Sequence, residues 1–174
     1  MARVFCFYQI QMNLEGIQTI VFDWGDTLMR DDPSREGPMY LWDTVETLPG
    51  VHEVLSFLSP KYILCVATNA GCSDTAAMRK ALARAGINDF FPYAFSSADL
   101  GVAKPDPAFF FAIAAHLSLN PFQCLMIGNS YEKDIAGAEA AGWNTIWFDE
   151  YNLSASSPHK GRVIHFLTEL KALL

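Results

Sequence analysis

Ile17-Gln18-Thr19-Ile20-Val21-Phe22-Asp23-Trp24-Gly25-Asp26-Thr27-Leu28 opens with β-branched and aromatic residues and closes in a polar turn. An apolar run this short, bounded by turn residues, reads as a buried strand over 17–22 that delivers Asp23 to its carboxyl end. Three further runs have the same form. Tyr62-Ile63-Leu64-Cys65-Val66-Ala67 ends at Thr68-Asn69, Gln123-Cys124-Leu125-Met126-Ile127 ends at Gly128-Asn129, and Thr145-Ile146-Trp147-Phe148 is the last. Tyr93-Ala94-Phe95, before Ser96-Ser97, is a shorter candidate.

Helical patterns separate the runs. Val51 to Leu58 follows Pro49-Gly50, Asp74 to Ala85 stops at Gly86, Pro107 to Leu117 starts on a proline, and Glu132 to Ala141 stops at Gly142. The last pattern, His165 to Leu174, carries Phe166, Leu167, Leu170, Leu173 and Leu174 on one side. Strands alternating with helices imply right-handed βαβ units. The expected fold is therefore α/β, a three-layer Rossmann-like parallel sheet flanked by helices. Ligands of such sheets bind beyond the carboxyl ends of the strands. Asp23, Thr68-Asn69 and Asn129-Ser130 are thus expected to meet at one edge.

The chain has 174 residues, of which 51% are apolar and 18% charged, enough for one domain with a full core. Eleven Gly and nine Pro without a period exclude a collagenous or low-complexity chain. With a formal charge of −7 and 12 Lys+Arg spread along the sequence, no basic face for nucleic acid is expected. The absence of an apolar run of about 18 residues speaks against a membrane span. Cys6, Cys65, Cys72 and Cys124 have no zinc spacing, and Cys65 and Cys124 read as small buried hydrophobes, so a reducing, cytoplasmic setting is expected. No Gly-x-Gly-x-x-Gly follows the first strand, and none of His52, His116, His159 and His165 has a nucleophile partner at a strand end. Residues 1–16 read as an N-terminal extension, either a loose arm or a stretch ahead of a true start at Met12, since Gln9 and Gln11 interrupt any secretory core. Residues 17–174 read as a single domain.

The strand-end residues suggest chemistry, each with an ordinary structural alternative. Asp23 suits a nucleophile or metal ligand, or a solvated cap. Thr68 and the freed N–H groups ahead of Gly71 suit an oxyanion, or a plain helix start. Lys104, held ahead of Pro105 and Pro107, suits a fixed phosphoryl partner, or a surface lysine. Asn129 and Asp134 suit a hard cation, or a polar cap.

In this order, the segments resemble the haloacid dehalogenase-like (HAD) hydrolase superfamily over about residues 17–150. The matching motifs are Phe22-Asp23-Trp24-Gly25-Asp26-Thr27-Leu28, Val66-Ala67-Thr68-Asn69, Lys104-Pro105-Asp106-Pro107, and Ile127-Gly128-Asn129-Ser130 leading to Asp134-Ile135-Ala136-Gly137-Ala138. The resemblance implies a magnesium-dependent phosphatase working through an aspartyl-phosphate on Asp23. Thr68, Asn69 and Lys104 would hold the phosphoryl group. Asp23, the Gly25 carbonyl, Asn129 and Asp134 would hold Mg2+. The substrate would be a phosphorylated small molecule or a larger phosphorylated partner, with neither nucleic acid nor membrane involved and self-association left open.

Two departures qualify that picture. The family places a second Asp, its acid/base, where this chain has Gly25, and Asp26 follows instead. Asp26 is expected either to take over the acid/base role or to cap the turn. Asn129 replaces a metal-binding Asp and should weaken magnesium binding. An enzyme without the acid would favour acyl or aryl phosphates, whose leaving groups need little protonation. A catalytically weak or inactive binding module is the alternative. A metal-independent dehalogenase is a third reading, disfavoured because the insert offers only Arg30 and Arg35 as halide partners. That insert, at about 29–48, is too short for a helical cap. It is expected to form a flap over an open site, or one covered by a partner subunit. Met39, Tyr40 and Trp42 would line the entrance or pack the flap down.

Overall fold

Period-two burial along the strands decides the architecture. Ile20 and Phe22, Leu64 and Val66, and Leu125 and Ile127 face one side, while Val21, Cys65, Ala67, Cys124 and Met126 face the other. Both faces are apolar, as a parallel sheet covered on both sides requires. The computed structural model describes residues 14–69, 71, 73–156 and 161–174. Most of the expected N-terminal extension, with Cys6 and Met12, and also Cys72 and His159, lies outside the described residues.

The elements run β1 (Thr19–Phe22), α1 (Val51–Leu58), β2 (Ile63–Thr68), α2 (Thr75–Arg84), β3 (Tyr93–Ser96), α3 (Ser97–Leu100), α4 (Pro107–Leu117), β4 (Cys124–Gly128), α5 (Gly137–Ala140), β5 (Asn144–Phe148), β6 (Arg162–Ile164) and α6 (Leu170–Leu173). The six strands are all parallel, in the order β3-β2-β1-β4-β5-β6. The chain winds outward from β1 through β2 to β3, then returns to the other side of β1 as β4. That reversal between β1 and β4 is where α/β sheets open a crevice for ligands. Phe22 is in register with Val66 of β2 and Ile127 of β4, so Asp23, Ala67 and Gly128 stand level, with Thr68 one residue further along β2.

One layer packs Val51, Val54, Leu55 and Leu58 of α1, Met78, Ala81 and Leu82 of α2, and Leu167 and Leu170 against the sheet. The other packs Phe109, Phe110, Ile113 and Ala114 of α4, with Ala138 of α5 and Trp143. The sheet residues facing α4 include the small Cys65, Ala67 and Cys124, which leaves room for the phenylalanines. Cys65 and Cys124 are free and buried, and burial pushes their thiols up to about 11 and about 12. No helix among the described residues is long and apolar enough to cross a membrane.

Several elements differ from the sequence reading, among them the short helix α3, which that reading does not contain. β6 is an edge strand of three residues, too short to leave a periodic signal. The expected helix from His165 starts later, because the Glu169 carboxylate accepts the N–H groups of His165 and Phe166 at 2.8 and 2.7 Å. A 3-10 turn, Leu167–Glu169, then leads into α6, and Phe166 points outward, 71% exposed. The expected helix from Glu132 opens as a wide π-helical stretch, Tyr131–Ala136, before α5. There the Ser130 carbonyl accepts from both Asp134 and Ile135, at 2.9 and 3.4 Å.

Phe110 is fully buried and meets Phe109 and Trp143 edge-on, at 5.5 and 5.4 Å between ring centroids. Phe110→Ala is expected to lower stability by about 3–5 kcal/mol, read as an earlier urea midpoint at unchanged slope.

Candidate active site

A lysine buried in a protein must be paired, because burial alone favours its neutral form. Lys104 is 4% exposed and has partners for all three ammonium protons. It donates to Asp23 Oδ1 at 2.6 Å, to Asp134 Oδ1 at 2.6 Å and to the Ala67 carbonyl at 3.1 Å. Burial pulls its proton affinity down, but the charges of Asp23 and Asp134 overcome this, and the net direction is upward. Burial pushes Asp134 upward, helped by the charge of Asp23 and opposed by Lys104.

Local backbone placement explains how the lysine arrives there. The carboxamide of Asn69 grips the Lys104 backbone from both sides, donating to its carbonyl at 2.6 Å and accepting its N–H at 2.8 Å. The Lys104–Pro105 peptide is cis. Asn69 is one of the residues expected at the phosphoryl group, and its side chain is committed to positioning Lys104. Thr68 ends β2 with a hydroxyl that has no hydrogen-bond partner among the described residues, and it lines the adjoining cleft.

Asp23 is held on its second oxygen by the Thr27 hydroxyl, at 3.2 Å. The same hydroxyl accepts the Asn129 N–H at 3.1 Å and so ties the β1 turn to the β4 turn. The turn is tight: the Trp24 carbonyl accepts from Thr27, Leu28 and Met29. Gly128 and Asp134 are pressed together, since a Cβ on Gly128 would run into the Asp134 carboxylate. Asp134 Oδ2 accepts the Ser130 N–H at 3.0 Å. The Asn129 carbonyl takes the Trp147 indole N–H at 2.9 Å, while its carboxamide has no hydrogen-bond partner among the described residues.

Asp26 is not part of this cluster. It sits at φ +51°, and its Oδ1 accepts the Asp31 N–H at 3.1 Å and lies 3.5 Å from Arg30. The acid/base role expected of it needs a side chain aimed at the substrate, and this one holds the turn, the capping alternative. The cleft is bounded by Trp24, Gly25, Asp31, Met39, Trp42, Thr68 and Asn69, among others, and has a volume of about 220 Å³. Met39 and Trp42 of the flap do line it, while Tyr40 faces the Lys80 ammonium instead. Sequence reasoning missed two residues here. Thr27 stands in the first motif as a bare match, and Asp31 falls inside the insert with no signal of its own.

The residues expected to hold the cation, Asp23, Asp134, Asn129 and Gly25 through its carbonyl, offer oxygen donors, the kind a hard cation takes. Magnesium is commonly held by one or two carboxylates together with water and substrate phosphate, and this set suits that mode. Among the described residues no group of three or more acidic, His or Cys side chains is assembled for a metal.

The chain is similar to known proteins in sequence and in fold. A family model described as haloacid dehalogenase-like hydrolase matches residues 34–142. A pyrimidine 5'-nucleotidase, PynA of Streptococcus pneumoniae, is 35% identical over 116 residues, covering 66% of this chain. The chain spans only about half, 48%, of that relative's length. Among solved structures, an uncharacterized protein from Listeria monocytogenes superposes with a TM-score of 0.78 at 23% identity, covering 90% of this chain and 96% of that one. The HAD-hydrolase YfnB from Bacillus subtilis, described as bound to magnesium, superposes at 0.75 with 19% identity, covering 91% and 98%.

With its proton affinity raised by the fold, Lys104 contributes stability at neutral pH that is lost as pH rises above its ordinary 10.5. Lys104→Met strands two buried carboxylates and is expected to cost about 3–5 kcal/mol at neutral pH. That loss shrinks in acid, as the stranded carboxylates take up protons. Thermal melts of both proteins across the acid to neutral range check the sign.

Proposed function

Because the chain belongs to the haloacid dehalogenase-like hydrolases, we propose that it is a magnesium-dependent phosphatase that works through an aspartyl-phosphate on Asp23. The observation that carries this reading is the fixed Asp23 carboxylate, held by Lys104 and Thr27 beside the free hydroxyl of Thr68 at the sheet's crevice. A carboxylate oxygen of Asp23 attacks phosphorus, and the leaving-group oxygen departs. Water then attacks phosphorus, and the Asp23 carboxylate is regenerated. The Thr68 hydroxyl and nearby backbone N–H groups hold phosphoryl oxygens, and the Lys104 ammonium offsets their charge. Asp23, Asp134, Asn129 and the Gly25 carbonyl are the residues that would hold magnesium. When bound, the ion supplies charge neutralisation between the attacking carboxylate and the phosphoryl oxygens.

A cleft of about 220 Å³ suits a small phosphate monoester. Trp24 and Trp42 are among its lining residues. The PynA relative makes a pyrimidine nucleoside 5'-monophosphate the first substrate to try. The unpaired, buried thiols of Cys65 and Cys124 fit a reducing, cytoplasmic setting.

Phosphate release from p-nitrophenyl phosphate and from such a nucleotide, with magnesium and with chelator, tests the reading. The wild-type protein is expected to release phosphate only with magnesium, and Asp23→Asn to fall to the blank. Release equal to that of Asp23→Asn would favour the non-catalytic binding module instead. Asn129→Asp adds a carboxylate to the donor set and is expected to lower the magnesium concentration that gives half-maximal activity.

A further inference from the structure

Transfer of a phosphoryl group from an alkyl ester leaves an alkoxide that needs a proton, and a positioned acid typically contributes about 10²–10⁴-fold to such a step. Lys104 and Asp134 do not qualify as donors, because each is buried in the other's grip. Asp26 is engaged by the flap backbone. Asp32, which also borders the cleft, is bound by Ser34 and Arg35, and those contacts keep its proton affinity low.

Asp31 remains, and its geometry is specific. Its Oδ1 accepts the Asp32 N–H at 2.9 Å, which fixes the carboxyl plane. Its Oδ2 has no hydrogen-bond partner among the described residues, and Asp31 is one of the residues that line the cleft, as Thr68 is. That oxygen lies 3.3 Å from where a Cβ on Gly25 would stand. A carboxyl group borne by the flap thus fills the space that a side chain at position 25 would take, two residues beyond the nucleophile.

Resting on the phosphatase reading above, we propose that Asp31 is the general acid and base of this site, delivered from the flap in place of the missing side chain at Gly25. As Asp23 forms its bond to phosphorus and the bond from phosphorus to the ester oxygen breaks, the Asp31 carboxyl group gives its proton to that oxygen and an alcohol leaves. The Asp31 carboxylate then takes a proton from water as the water oxygen bonds to phosphorus. The bond between Asp23 and phosphorus breaks, inorganic phosphate leaves, and both side chains return to their starting states. The site therefore acts on alkyl phosphates as well as activated ones.

Leaving-group dependence tests this. Asp31→Asn is expected to lower kcat/KM on an alkyl phosphate by about 10²–10⁴-fold, and on p-nitrophenyl phosphate, whose leaving group needs no proton, by less than about tenfold. Placing a carboxylate on the other side of the same gap, Gly25→Asp in the Asp31→Asn background, is expected to restore part of the alkyl activity and to leave the ratio between the substrates closer to wild type. A merely structural role for Asp31 would lower both substrates together, and an equal loss, or none, overturns the assignment. A wild-type protein no more active than Asp23→Asn on either substrate is a different result: it overturns the phosphatase reading itself, and the role of Asp31 with it.

Discussion

The Lys104 ammonium lies 2.6 Å from each of two carboxylates that arrive from different strands, and the sheet edge is built around keeping it there. Desolvating three charges is expensive, and only close geometry with full hydrogen bonding repays it. Every ammonium proton is used, and both Asp23 oxygens and both Asp134 oxygens have donors. Two carboxylates against one ammonium still leave one negative charge uncompensated. A crevice with that imbalance attracts a cation, and a cation there in turn accommodates a phosphate. The same triad that must be compensated inside the fold thus sets the electrostatic character of the site.

The packing far from the chemistry serves this triad. The loop carrying Lys104 comes down onto the sheet because α5 begins with Gly137, whose absent side chain would meet the Pro105 carbonyl at 2.7 Å and the Phe110 ring at 2.9 Å. Small residues of β2 and β4 let α4 sit close, and α4 fixes the far end of the loop through its Asp106 cap and Pro107 start. Gly128 does the same for Asp134 from the other side. Close backbone approach at these positions is what brings side chains from positions 23, 104 and 134 into contact.

Much of this was legible in the chain. Short apolar runs ending in Asp23, Thr68 and Gly128-Asn129 marked the strands, because burial on both faces of a parallel sheet produces continuous apolar runs. Lys104 could be singled out because prolines at 105 and 107 fix the backbone around it. The illegible parts share one physical cause: they depend on side chains reaching across a loop, which has no period. Nothing in the order of residues shows that the Asn69 side chain holds the Lys104 backbone. Nor does it show that Asp26 bonds forward to the Asp31 N–H, or that Glu169 reaches back to delay the last helix. The wide turn at Tyr131–Ala136 keeps helical composition and differs only in which carbonyl its N–H groups find.

The flap illustrates how a segment without regular structure can still present a fixed wall. Arg30 makes a two-pronged contact with Glu150 at 2.8 and 2.8 Å, binding the start of the flap to the loop after β5. That contact raises the proton affinity of Arg30 and lowers that of Glu150. Planar two-point geometry distinguishes it from the general run of surface ion pairs, which contribute little. At the other end, Arg84 of α2 donates to the carbonyls of Tyr40, Trp42 and Asp43, and the Arg35 guanidinium lies 5.4 Å from the Trp42 ring centre. Between these anchors, Met39 is buried in the core and Met29 pairs with Thr47 across the base. A segment held at both ends and in the middle loses little further freedom when a ligand arrives. The binding cost therefore falls on ordering the substrate rather than on closing a lid. Asp31 lies within this braced stretch, one residue beyond Arg30, so its carboxyl group is carried on one of the most firmly anchored parts of the flap.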